Sequence, residues 1–186
     1  MFIQTEATPN PATLKFIPGR PVLDQGTLEF TDPASGKDSP LAARLFEIDG
    51  VKGVFFGPDF ISVTKGDGEW QHLKPAILGA IMEHFVSGEA VTTGEPSGSE
   101  SSSGEFYAPE DEDTVKTIKE LLETRVRPAV AQDGGDITFQ GYREGIVYLH
   151  MRGACSGCPS STATLRHGIE NLLKHFIPEV QEVRPV

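Results

Sequence analysis

Two cysteines, Cys155 and Cys158, are the only ones in 186 residues. They stand in the run Gly153-Ala154-Cys155-Ser156-Gly157-Cys158-Pro159-Ser160-Ser161. A C-x-x-C spacing lets two sulfurs reach one metal centre or pair with each other. In a compartment that keeps thiols reduced, such a pair serves metal binding or redox chemistry more often than a structural disulfide. Gly153 and Gly157 let the backbone wrap closely around the sulfurs.

The flanking pattern places the pair. Ile137 to Tyr142 and Ile146 to Arg152 read as two strands joined by a turn at Arg143-Glu144-Gly145. Pro159 suits the first turn of a helix, and Leu165, Ile169, Leu172, Leu173 and Phe176 are expected to form its buried face. The cysteines therefore fall between a strand end and a helix start, where amide N–H groups and the helix dipole favour thiolates.

Upstream, Asp111-Glu112-Asp113 opens a helix with the stripe Val115, Ile118, Leu121, Leu122 and Val126, which Pro128 is expected to break or kink. Gln132-Asp133-Gly134-Gly135-Asp136 reads as a turn, not a divalent-metal loop. Glu182-Val183-Arg184 suggests a last strand, giving the order α-β-β-α-β.

Residues 1–90 read differently. Strands are expected at Thr13 to Ile17 and Gly26 to Phe30, and a hairpin at Val51 to Phe56 and Phe60 to Lys65. One helix is capped by Ser39 with Pro40 at its first position, and another runs from Leu73 to Phe85. This β-β-α-β-β-α segment holds no nucleophile–base set, phosphate loop or metal spacing. His72 and His84 are isolated and are expected to be exposed or simply packed.

Charge separates the segments. Net charge is −11, which argues against non-specific nucleic-acid or anionic-membrane binding. Residues 91–113 contain seven acids and no Lys or Arg, whereas residues 114–186 are nearly balanced. The Ser/Gly/Glu-rich stretch from Thr92 to Glu105 cannot bury enough surface to fold and is expected to be a flexible tether. The fold class is α+β: two small domains, 1–90 and 111–186, joined by an acidic Ser/Gly linker at 91–110. The start lacks signal- or transit-peptide composition, and no run is long enough for a membrane span, so the expected location is cytoplasmic.

Several chemistries compete for the cysteine pair. A thioredoxin-like dithiol also uses strand–CxxC–helix, but here the motif follows a hairpin and not the first strand of a βαβ unit. A closed zinc site wants four ligands, and His150, His167 and His175 are poorly spaced to complete one within a chain. Zinc between two chains remains open. Iron–sulfur clusters are commonly held by four thiolates, so two per chain would require two chains.

The chain resembles the NifU/Nfu family of iron–sulfur scaffold and carrier proteins. Residues 114–186 resemble its C-terminal domain through Arg125-Val126-Arg127-Pro128-Ala129-Val130, Asp133-Gly134-Gly135-Asp136-Ile137, Leu149 to Ser161, and Thr164-Leu165 with Gly168-Ile169-Glu170. Residues 1–90 resemble the accompanying N-terminal domain through Thr8-Pro9-Asn10-Pro11, Thr13-Leu14-Lys15-Phe16, Ser39-Pro40-Leu41-Ala42 and Val54-Phe55-Phe56-Gly57. The resemblance implies a non-enzymatic carrier. Cys155 and Cys158 match the family's ligand positions for a [4Fe-4S] cluster bridging two subunits, with a [2Fe-2S] form left open. It also implies a homodimer when loaded, upstream assembly proteins as donors and apo iron–sulfur enzymes as clients; charge and hydropathy lead to no nucleic-acid or membrane partner being expected. A thiol–disulfide oxidoreductase is the alternative.

Overall fold

The computed structural model describes residues 2–24, 26–93, 105–154 and 159–186. Cys155 and Cys158, Gly157 and residues 94–104 of the expected tether lie outside them. The chain divides into two compact units, Met1–Ser99 and Glu100–Val186.

In the first unit, β1 (Gln4–Ala7), β2 (Thr13–Ile17), β3 (Leu28–Phe30), β4 (Val51–Phe56) and β5 (Ile61–Lys65) form an antiparallel sheet in the order β1-β2-β5-β4-β3. Helices α1 (Pro40–Phe46) and α2 (Trp70–Ser87) supply Leu41, Leu45, Leu73, Ile77 and Ile81 to a core shared with Phe16, Val54, Phe56, Ile61 and Val63. Ser39 caps α1 as its sequence position suggests: the Ala42 N–H donates to Ser39 Oγ at 3.1 Å. Strand β1 was not expected. It is an edge strand with only partly buried side chains, so Gln4-Thr5-Glu6-Ala7 lacks the apolar alternation by which a strand is recognised.

The second unit contains α3 (Glu112–Leu121), α4 (Arg127–Gln132), β6 (Gly135–Arg143), β7 (Ile146–Gly153), α5 (Pro159–Phe176) and β8 (Glu182–Pro185). Strand β7 is central, antiparallel to β6 and parallel to β8. Its Val147, Leu149 and Met151 meet Val115, Ile118, Leu122, Val126, Ile169 and Leu173 in one core. Pro128 does not end the first helix. A single wide π-helical turn at Leu122–Val126 carries the chain from α3 into α4, where Pro128 occupies the first turn. The extra residue of that turn relieves the clash of a proline ring, which also offers no N–H to the carbonyl four residues earlier. Phe176 was expected on the buried face of α5 but is 46% exposed, and Ile177 is buried in its place. The helix keeps a strict four-residue step from Ile169 through Leu173 to Ile177, and Phe176 lies off that line.

Both ends of the stretch read as tether are packed. Ser39 Oγ donates to the Val91 carbonyl and Thr93 N–H to the Asp38 carbonyl. On the other side, Phe106 forms a parallel bridge to Gly141, donating to the Gln140 carbonyl at 3.2 Å and accepting from Tyr142 N–H at 2.8 Å. Its ring lies 5.0 Å from that of Tyr148, over Gly141, where a Cβ would stand 2.6 Å from the ring. One aromatic residue on a glycine seat orders this segment, and no periodicity announces it. Gly141→Ala should unseat Phe106 and cost about 1–3 kcal/mol. Urea unfolding and faster hydrogen exchange at the Tyr142 amide would report it.

His72 is exposed, whereas His84 is fully buried near the end of α2. Among the described residues neither of its ring nitrogens has a hydrogen-bond partner, and Glu89 Oε2 lies 4.0 Å from Nδ1. Burial lowers the pKa of His84 from 6.5; the Glu89 carboxylate opposes this and the Arg44 guanidinium adds to it. The unfolded ring therefore takes a proton near 6.5, while the folded ring takes one only at lower pH. Its contribution to stability is complete above that value and is lost as pH falls below it. Urea unfolding across pH 5–8 should show the first unit weakening below about pH 6.5. The decline should be absent from His84→Gln.

Candidate functional site

Strand β7 runs toward the cysteine pair and ends at Gly153. There it is clasped by the start of β6: Gly135 faces Gly153 in register, and Ala154 N–H donates to the Gly134 carbonyl at 3.3 Å. Gly134 and Gly153 have φ of 81° and 65°, left-handed values that a side chain would strain. The chain thus leaves the sheet through a narrow two-glycine exit, and Cys155 is the residue after Ala154. Helix α5 begins at Pro159 and its Ile169 and Leu173 are buried against the sheet. The described backbone on both sides agrees with the strand-end and helix-start setting read from the sequence.

The turn expected over Gln132 to Asp136 is narrower: Gln132 still ends α4, only Asp133 and Gly134 turn, and Gly135 and Asp136 already belong to β6. Asp133 N–H donates to the Val130 carbonyl and Gly134 N–H to the Ala131 carbonyl, each at 3.0 Å. Asp136 has another task, which the sequence reading missed. It is 3% exposed, inside β6. Arg127, from the start of α4, grips it with both arms: Nε to Oδ1 at 2.9 Å and Nη2 to Oδ2 at 3.0 Å. The Ile137 N–H adds a third hydrogen bond to Oδ1 at 2.8 Å. Arg127 Nη1 also reaches Glu123 at 3.0 Å. A planar bidentate fork of this kind fixes orientation as well as distance. It ties the helix to the strand position opposite Arg152, next to the glycine exit. The available signal was an acid at the start of a strand of alternating apolar residues, with an Arg at a nearby helix start.

Known proteins resemble this sequence. A model of the scaffold protein Nfu/NifU N-terminal family matches residues 3–88, and a NifU-like domain model matches residues 118–184. The chain is 53% identical over 188 residues to the human "NFU1 iron-sulfur cluster scaffold homolog, mitochondrial", spanning all of this chain and 72% of that protein. The chain belongs to the Nfu/NifU family. The Drosophila sechellia protein of the same name is 49% identical, and "NifU-like protein 4, mitochondrial" of Arabidopsis thaliana is 50% identical; the chain spans 65% of the length of each.

These family members carry a mitochondrial location in their names, which overturns the cytoplasmic expectation. The cysteine argument asked only for a compartment that keeps thiols reduced, and nothing in the folded units distinguishes one such compartment from another.

Within this family member, the three histidines weighed as zinc ligands stay apart. His150 Nδ1 lies 3.2 Å from the Val186 carbonyl. His167 and His175 are exposed on α5, eight residues or about 12 Å apart along the axis. Among the described residues, no group of three or more His, Cys, Asp or Glu could hold a metal ion.

If the fork positions the exit, removing one partner should be felt strongly. Asp136→Ala leaves Arg127 facing a buried void and should destabilise the second unit by about 3 kcal/mol, as read by denaturant unfolding. Arg127→Lys, which keeps the charge but loses the fork, should recover only part of that loss.

Proposed function

We propose that this Nfu/NifU-family chain is an iron–sulfur cluster carrier in which Cys155 and Cys158 of two subunits together hold one [4Fe-4S] cluster as cargo. Family membership carries the reading. The chain's own residues support it: two cysteines, no more, at a glycine-clasped strand end followed directly by a helix. Four thiolates per cluster then require two chains.

The cargo leaves by ligand exchange. An incoming client thiolate forms a bond to iron as the bond from Cys155 or Cys158 breaks, and the freed cysteine departs as thiolate or takes up a proton. No electrons are transferred, so no oxidant or reductant is needed. Two ligands per chain suit this step, because neither chain cages the cluster alone. Residues 111–186 form the cluster-binding domain, residues 1–90 recognise donors or clients, and the stretch between joins them. Clients are apo iron–sulfur proteins, and upstream assembly proteins supply the cluster. The reading assigns no catalytic turnover.

Anaerobic reconstitution with iron and sulfide tests this. The expected product is a brown dimer with ~2 Fe and ~2 sulfide per chain, and Cys155→Ser or Cys158→Ser should abolish the colour. A colourless protein that reduces disulfides would instead assign the pair to thiol–disulfide exchange.

A further inference from the structure

Four charged side chains of alternating sign line one cavity of the second unit, and a fifth is joined to the last of them. The cavity is about 360 Å³, and Glu105, Lys119, Glu123 and Arg127 are on its wall. Asp136 is the fifth, gripped by Arg127. Lys119, Glu123 and Arg127 follow one another at four-residue steps, the spacing at which helical side chains meet. The outer links of this row are made: Lys119 pairs with Glu105, and Arg127 pairs with Glu123 and Asp136. The middle link is open. Among the described residues no ion pair joins Lys119 to Glu123; Lys119 is turned to Glu105, with its Nζ 5.5 Å from the centre of the Phe139 ring.

Glu105 and Phe106 are lightly held. Phe106 makes a single bridge to β6 and is 44% exposed, and the Lys119 side chain that receives Glu105 is 42% exposed. A segment with one rung and few buried contacts opens more readily than the sheet it rests on.

We propose that Glu105 and Phe106 form a latch whose release loosens the Arg127–Asp136 fork through Lys119. With the latch shut, Glu105 occupies Lys119, and Glu123 is left to Arg127. With the latch open, Lys119 has lost its acid. Glu123 is the one acid three or four residues away from it. Two cations then compete for one carboxylate, and Arg127 loses part of the support that its Nη1 receives from Glu123 at 3.0 Å. The fork stands beside the two-glycine exit, so the hold on Glu105 is felt where the chain leaves β7 toward Cys155. A partner that draws the acidic stretch away from the second unit loosens the exit without touching it. The inference concerns the chain's own side chains and goes beyond the carrier reading without depending on it.

Amide hydrogen exchange, followed by NMR on the reduced full chain without a cluster, tests this, because two amides report the two ends separately. Tyr142 N–H donates to the Phe106 carbonyl and reads the latch; Ile137 N–H donates to Asp136 Oδ1 and reads the fork. Phe106→Ala should speed exchange at Tyr142. Phe106→Ala and the milder Glu105→Gln should each speed exchange at Ile137 about twofold, the size of one helical ion pair. That effect should fade at high salt. Adding Lys119→Met removes the competing cation: Phe106→Ala should still speed Tyr142, but neither latch variant should then change Ile137. A latch that merely props the sheet would loosen Ile137 with or without Lys119. Exchange at Ile137 that ignores both latch variants, or that quickens equally in the Lys119→Met chain, overturns the inference. Neither result touches the carrier reading, which stands or falls on reconstitution.

Discussion

The second unit turns on the meeting of Gly134 and Gly135 with Gly153 and Ala154. Both ends of the β6–β7 hairpin are brought together there, one residue before Cys155. No side chain would fit the two left-handed positions without strain. Glycine alone, however, makes a loose joint. The Arg127–Asp136 fork supplies the stiffness, fastening α4 to the adjacent strand position with two hydrogen bonds on a buried carboxylate that the neighbouring Ile137 N–H also holds. Such a pair is costly to desolvate, and its net contribution to stability can be small even when breaking it is severe. Its value here is orientation: helix, turn and strand exit are held in one register.

The two units divide the work unevenly. The first buries a large apolar core under a five-stranded sheet, and sequence reading finds no catalytic or metal motif in it. The second is a three-stranded sheet that spends its special residues, the glycines, Asp136 and Arg127, around one exit. The proposed carrier function is suited by such a division, with the proposed chemistry in one small unit and the other left to make contacts.

Much of this was legible in the residues. Apolar periodicity located α1, α2, α3 and α5, and alternation located β2, β4, β5, β6 and β7, because burial on one face imposes those periods. The misses share a cause: they depend on single contacts between elements, which no period within one element announces. Strand β1 exists because β2 offers it an edge, and Phe106 is ordered by the vacancy above Gly141. The fork between Arg127 and Asp136 joins a helix that starts just after a π turn to a strand, and no local pattern encodes that pairing. Phe176 is apolar yet exposed, because the four-residue step through Leu173 selects Ile177. The location failed for a different reason, since a compartment leaves no mark on a core.

Strand β8 gives the molecule an order in time. It pairs with β7 along the side that β6 leaves open, yet it lies at Glu182–Pro185, well beyond the cysteines in sequence. During synthesis β6, β7 and the cysteine pair emerge first, and one edge of β7 stays uncovered until the chain has been made through β8. An uncovered edge is prone to pair with whatever strand it meets. Completion of the sheet, rather than appearance of the cysteines, therefore marks the moment when the nascent second unit becomes a finished domain.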